Sequence, residues 1–268
     1  MKKNVRVVFI GWGAINAHVG ALLAQRKTAV DIVGIATIDT PEARASIPEG
    51  VHFLKAPQEL AALKPDVVVE AAGRAAIDMW AETALAVSPV MIIASTSAFC
   101  DDGLMPRLAG IAEAHGSRIL VPSGAIGAID ALASAAVLGL DDVTHQIVKP
   151  PVAWKGTPAD KLLDLAALSE RTVFFSGSAR EAAGQYPQNA NATVVTALAG
   201  IGLDKTRVEL VADPAFRSNG HRIVARGAFG RLDITLENNP LPTNPKSSEL
   251  TALSLVRLIE HQANVVII

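Results

Sequence analysis

Among 268 residues the chain has a single cysteine, Cys100. No internal disulfide can form, and a reducing, cytoplasmic compartment is expected. No His or Asn spacing singles Cys100 out as a nucleophile. Aromatic residues are scarce, at 4%, although half of the chain is hydrophobic. The core must therefore be built from Ala, Val, Ile and Leu, which suits buried parallel strands under tightly packed helices. Charge of either sign is not in excess: the formal net charge is −2, which argues against a nucleic-acid-binding or membrane surface. Long apolar runs are missing too. The most apolar region, Thr83 to Phe99, is interrupted by Ser88-Pro89 and by further Ser and Thr, and reads as a helix followed by a buried strand. Met1-Lys-Lys-Asn4 leads directly into the first strand, so no separate signal peptide is expected there. The histidines form no HxxxH or Cys/His pattern, so no metal site is expected. Internal repeats and low-complexity tracts are also absent from the sequence.

What is there begins with Val5-Arg-Val-Val-Phe-Ile-Gly-Trp-Gly-Ala-Ile-Asn16. A β-branched run enters Gly11 and Gly13, and Ile15, Val19, Leu22 and Leu23 then recur at helical spacing. This is a strand, a glycine turn and a helix. Gly11 lets the chain turn off the strand, Gly13 leaves room for a pyrophosphate, and Ala14 and Ile15 open a helix whose N-terminus attracts an anion. Asn16 stands where the usual dinucleotide fingerprint has a third glycine, which mainly serves close helix–strand packing. A second strand, Ala29 to Ile38, ends at Asp39. An acidic residue there binds adenosine ribose hydroxyls in many dinucleotide folds, although Asp39 lies beyond the usual spacing of about 20 residues. The Thr40-Pro41 that follows allows it a turn-capping role instead. NAD and NADP are therefore not separated.

Strands at Asp66–Glu70, Val90–Ser95 and Arg118–Val121 alternate with helices at Pro57–Leu63, Ala75–Val87 and Asp101–His115. This alternation predicts a Rossmann-type α/β fold with a doubly wound parallel sheet. In such sheets ligands lie outside the carboxyl ends of the strands. Gly11, Ala72-Gly73, Ser95 and Val121 should line one crevice, with Ala72, Gly73 and Ser95 either close to a cofactor or merely suited to tight turns. Pro122-Ser-Gly-Ala-Ile-Gly127 fits either the nicotinamide end or a hinge. Thereafter the pattern changes. Helices are expected at Ile129–Val137, Ala159–Leu168, after Ser178 (with Glu181 completing a capping box) and at Ala192–Ala199. Alternating strands are expected at Val143–Lys149, Thr172–Ser176, Thr206–Ala212, Gly220–Ala228 and Arg231–Glu237. Asn239 to Pro245 reads as a proline-rich connector, and Ser247–His261 as a last helix. The expected division is a dinucleotide-binding domain, 1–125, and an α+β substrate and dimerisation domain with a mainly antiparallel sheet, 126–244, with the helix in 245–268 packing back on the first.

Of the six histidines, His18, His52, His115, His145 and His261 read as structural or exposed. His221 differs: it follows the polar loop Asp213–Gly220 and starts a strand, where an imidazole can face a crevice and exchange protons near pH 7. Lys149, Arg180 and Lys246 lie beside turn or helix-start signals and suit either substrate carboxylates or a solvated surface. Asn189 and Asn191 look first like helix N-caps, with amides that could also reach the nicotinamide or the substrate.

Pro122–Leu132, Gly177–Ala183, Pro187–Asn191, Ala199–Asp204, Ala212-Asp-Pro214, Asn219-Gly-His221 and Asn244–Ser248 together resemble the L-aspartate dehydrogenase family, nearly end to end and in order. The resemblance implies oxidation of L-aspartate by NAD or NADP to iminoaspartate, which water converts to oxaloacetate and ammonia, with a possible supply of iminoaspartate to NAD biosynthesis. It also implies a homodimer, a catalytic histidine at His221, and cofactor contacts at Ala125 and Asn191. Asn16, where the family usually has Gly, and Ser247, where Thr is more usual, depart from the pattern. The alternatives are another two-domain NAD(P)-dependent imine or dicarboxylate reductase, and a non-catalytic NAD(P)-sensing binding protein.

Overall fold

The computed structural model describes residues 4–267; the side chains at 188–190 and 245–246 fall outside the described residues. The chain divides into two units, one of 1–122 with 252–268 and the other of 123–251.

The first unit is a six-stranded, wholly parallel sheet in the order β3-β2-β1-β4-β5-β6. Its strands are β1 (Val5–Ile10), β2 (Val30–Ala36), β3 (His52–Leu54), β4 (Val67–Glu70), β5 (Val90–Ile93) and β6 (Arg118–Leu120). Helices α1 (Ala14–Gln25), α2 (Pro41–Ala45), α3 (Leu60–Leu63), α4 (Arg74–Val87) and α5 (Leu104–His115) connect them. This is the strand order of doubly wound dinucleotide folds, in which the crossover direction reverses between β1 and β4 and opens a crevice at the carboxyl ends. The central strands are apolar along nearly their whole length because helices cover both faces. Val19 and Leu23 of α1 join Val7, Phe9, Ile35, Val67, Val69, Val90 and Ile92 in one buried cluster. Ala252, Leu255, Val256 and Ile259 of the last helix, α9 (Glu249–Ala263), complete it.

In the second unit, the five-stranded sheet β11-β10-β7-β9-β8 contains β7 (Leu140–Lys149), β8 (Thr172–Ser178), β9 (Arg207–Ala212), β10 (Asn219–Gly227) and β11 (Gly230–Asn238). Every pairing is antiparallel except that of β7 with β9. Helices α6 (Ile129–Ala136), α7 (Ala179–Gln185) and α8 (Pro187–Ala199) accompany it. Ser178 caps α7, with Glu181 returning the bond in a capping box.

Several expected elements differ. Strand β2 stops at Ala36, where β3 ends its pairing, so Asp39 lies three residues past the strand. The segment 159–168 is not a helix. It closes one 3₁₀ turn, Pro158–Lys161, after which Oδ1 of Asp164 accepts from the amides of Ala166 and Ala167 and holds the backbone in turns. Ala159 and Leu165 are buried there while Leu162 is exposed, so single side chains are buried from turns and no continuous helical face forms. Residues 239–245 are not a plain connector: β12 (Pro240–Leu241) pairs with β13 (Asn244–Ser248), and proline is compatible with an edge strand. Helix α8 starts at Pro187, so positions 189 and 191 lie inside it and are not caps.

Candidate functional site

The first unit carries a cradle at the carboxyl ends of β1 and β4. Gly11 has φ +86°, and a Cβ there would sit 2.7 Å from Cβ of Ala72 and 3.0 Å from the Ala71 carbonyl oxygen. Only glycine lets the two turns approach this closely. Gly13 is the N-cap of α1, which has neither a capping side chain nor an acidic residue in its first turn. A Cβ on Gly13 would meet nothing within 4 Å. The open space therefore lies in front of unsatisfied amides and the positive end of the helix dipole, including those of Ala14 and Ile15. This arrangement fits a pyrophosphate. A cavity of about 640 Å³ runs from here past Thr37, Ile38, Asp39 and Lys55.

Asn16 is more than a packing substitute for the third glycine. It is 1% exposed, and its Nδ2 donates to the carbonyls of Gly11 (2.7 Å) and Ile10 (3.3 Å). It clamps the glycine turn from below. Trp12 lies over Gly20 and donates from Nε1 to the Ser46 carbonyl at 3.0 Å, anchoring the same turn from its other end.

Glu70, which the sequence reading passed over, organises the neighbouring turn. Its buried carboxylate accepts from the amides of Ala72, Gly73 and Ser95 and from the Ser95 hydroxyl. Burial pushes its pKa up, while these donors oppose the rise. The amides of Ala72, Gly73 and Ser95 and the Ser95 hydroxyl thus shape the turn, and Ala72 lines the cavity. The turn after β2 is capped by Thr40, whose Oγ1 accepts from Ala43 N. Asp39 instead makes a two-pronged pair with Arg44, at 2.5 and 2.7 Å, which holds its carboxyl below the usual range. The Arg44 guanidinium also stacks 4.8 Å from the Phe53 ring centroid.

In the second unit, alternation along β7 turns Val143, His145, Ile147 and Lys149 to the buried face. His221 on β10 pairs with Ile147, and Ile223 with His145, so the two histidines are diagonal neighbours on one face. Nδ1 of His221 lies 3.0 Å from Nε2 of His145, and Oγ1 of Thr196 from α8 lies 2.9 Å from Nδ1 of His145. His145 and Thr196 are fully buried, and His221 is 4% exposed. Desolvation pushes the pKa of His145 down to about 3. His221 falls well below the ordinary imidazole value, first through burial and then through the adjacent His145 and Lys149. Lys149, 4% exposed, is lowered to about 8 by burial; its Nζ lies 5.8 Å from the Trp154 ring centroid. Gly220 permits this packing: a Cβ there would be 2.6 Å from the Phe216 ring.

The structure therefore brings His221 and Lys149 together. Arg180 is paired through both prongs with Asp204, at 2.6 and 3.0 Å. The side chain of Lys246 lies outside the described residues. The Ala125 carbonyl accepts from Nδ2 of Asn238 at 2.6 Å, and Asn191 lies near the N-terminal end of α8. His145 and Thr196 were missed in the sequence. The signal for His145 was its place in the period-two pattern with Lys149; nothing local marked Thr196. Among the described residues no group of three His, Cys, Asp or Glu could hold a metal, and no helix is long and apolar enough to cross a membrane.

Residues 130–262 match the family model for the C-terminal domain of aspartate dehydrogenase, and residues 11–122 match that for the NAD-binding domain of homoserine dehydrogenase. The chain is 50% identical to an L-aspartate dehydrogenase of Brucella anthropi over all of both chains. It is 42% identical to one of Cupriavidus taiwanensis, over 98% of this chain and 99% of the relative. The crystal structure of an aspartate dehydrogenase from Thermotoga maritima superposes with a TM-score of 0.76, at 28% identity and 99% coverage of each chain.

Proposed function

The chain belongs to the L-aspartate dehydrogenase family and carries out NAD(P)-dependent oxidation of L-aspartate, and we propose that His221 is the base of this reaction. The observation that carries the assignment is a buried imidazole on β10, 3.0 Å from His145 and on the same sheet face as the buried Lys149.

A bound nicotinamide would supply the acceptor for the hydride on Cα of aspartate. The glycine turn at Gly11 and Gly13, with the first-turn amides of Ala14 and Ile15, would hold the pyrophosphate, and Asp39 would face the ribose. By family resemblance Ala125 and Asn191 are further proposed cofactor contacts. The amine of aspartate must be neutral before hydride leaves, because its lone pair becomes part of the imine. Nε2 of His221 accepts that proton and releases it to solvent, then takes one from the water that attacks the imine carbon and gives it to the nitrogen that leaves as ammonia. Desolvation keeps the free imidazole neutral through the neutral pH range, so the base needs no prior titration. The arriving substrate carboxylates then favour the imidazolium that forms. Lys149 binds one of those carboxylates, its charge strengthened by exclusion of water. The products are oxaloacetate and ammonia, with iminoaspartate as the species available to be handed on; a homodimer is the proposed assembly.

Formation of NAD(P)H with L-aspartate, followed with each cofactor, tests the reading. The expected result is turnover with aspartate and none with malate. Turnover with malate alone would assign a hydroxy-acid dehydrogenase, and tight NAD(P)H binding without turnover a sensor.

A further inference from the structure

Thr196, His145 and His221 form one buried chain of polar contacts running from helix α8 through β7 to β10. We propose that Thr196 and His145 are positioning residues that fix the tautomer of His221, placing the proton of its neutral ring on Nδ1 and leaving Nε2 bare. The inference rests on His221 being the base of the reaction above.

Proton counting along the chain carries it. A threonine hydroxyl has one proton to donate, and a neutral imidazole has one N–H and one acceptor nitrogen. Oγ1 of Thr196 faces two acceptors, the Ala192 carbonyl one helical turn back at 3.4 Å and Nδ1 of His145 at 2.9 Å. If the hydroxyl proton goes to the Ala192 carbonyl, the contact to His145 must use the proton of His145. Nε2 of His145 is then an acceptor, and the 3.0 Å contact must use a proton on Nδ1 of His221. All three contacts are satisfied. In the reverse order the hydroxyl donates to His145, His145 donates to His221, and the Ala192 contact has no proton. That order also protonates Nε2 of His221, which then cannot act as a base. The first order satisfies one more contact among side chains that are all buried.

The count requires both rings to be neutral, and the surroundings enforce this. Burial disfavours charge on either ring. Among the described residues the titratable groups acting on His221 are His145 and Lys149, both from β7, and each lowers its pKa further. From α8, the group facing His145 is the uncharged Thr196. Among the described residues Nε2 of His221 has no hydrogen-bond partner, so this nitrogen is left for a ligand.

Nitrogen-15 NMR of the unliganded full-length protein, with labelled imidazoles, reads the tautomer directly. The expected result is a protonated Nδ1 and a bare Nε2 on His221. Thr196→Val removes the acceptor at nearly constant volume. It should mix the His221 tautomers and lower kcat roughly tenfold or more, within the 10²–10⁴ that a general base contributes, with KM for the dinucleotide unchanged. Thr196→Ser should restore both the tautomer and kcat. A wild-type proton on Nε2 overturns the inference, as does equal behaviour of the Val and Ser variants. A bare Nε2 in a wild-type protein without aspartate-dependent hydride transfer supports the tautomer assignment and overturns instead the role given to His221 in aspartate oxidation.

Discussion

At Lys149 a cation has been taken out of water and set beside the histidine pair, and its lowered pKa, about 8, has a direct kinetic consequence. Below that pH the side chain is an ammonium and attracts a carboxylate; above it the charge and the attraction are lost. KM for aspartate should be flat below about pH 8 and rise above it, as a pH series at saturating dinucleotide would show. Lys149→Met should remove this limb and raise KM at pH 7 roughly tenfold or more, in keeping with about 1.5–3 kcal/mol for a charge-assisted bond. Asp39 poses a different question. A lone carboxylate beside the ribose favours NAD and repels the 2′-phosphate of NADP, yet here Arg44 neutralises it. Arg44→Ala should raise KM for NADP several-fold relative to NAD, measured as a ratio at fixed aspartate; an unchanged ratio would mean that the pair does not touch the ribose.

Elements, rather than single residues, determine whether the cradle forms. Gly11→Ala would force a Cβ against Ala72 at a backbone angle of +86°. It should destabilise the first unit by about 1–3 kcal/mol and weaken NADH binding, seen by thermal melting and by fluorescence titration. At this scale the sequence was most legible where periodicity and burial agree. The apolar runs of β1, β4 and β5 could be read as central strands because both their faces are covered. The Gly11–Gly13 turn was legible because it needs residues without a side chain. The segment 159–168 misled because helical spacing of leucines says nothing about whether a continuous helical face is buried. The roles of Glu70, Asn16 and Thr196 were not legible because they depend on backbone groups and side chains brought close only by folding. His145 read only as a structural or exposed strand residue and not as a neighbour of His221, since the register of β7 against β10 carries that information.

For the molecule as a whole, a buried neutral histidine pair makes stability depend on acid. His145 and His221 have folded pKa values below the ordinary value of about 6.5. As pH falls below about 6.5 the unfolded chain binds protons that the native chain does not, so stability decreases, and it continues to decrease towards the native pKa of His145, about 3. Glu70, with its raised pKa, acts in the opposite direction and offsets part of the loss. The urea midpoint should be lower at pH 5 than at pH 7.5, and His145→Gln should reduce the difference. An equal difference in that variant would contradict the buried, neutral His145. The assignment of His221 as the base that enables hydride loss from aspartate stands or falls on the aspartate-dependent rate of NAD(P)H formation in His221→Ala, measured beside its affinity for NAD(P)H. The account predicts a fall in kcat of roughly 10²–10⁴ with dinucleotide affinity retained; turnover close to that of the unaltered protein would contradict it.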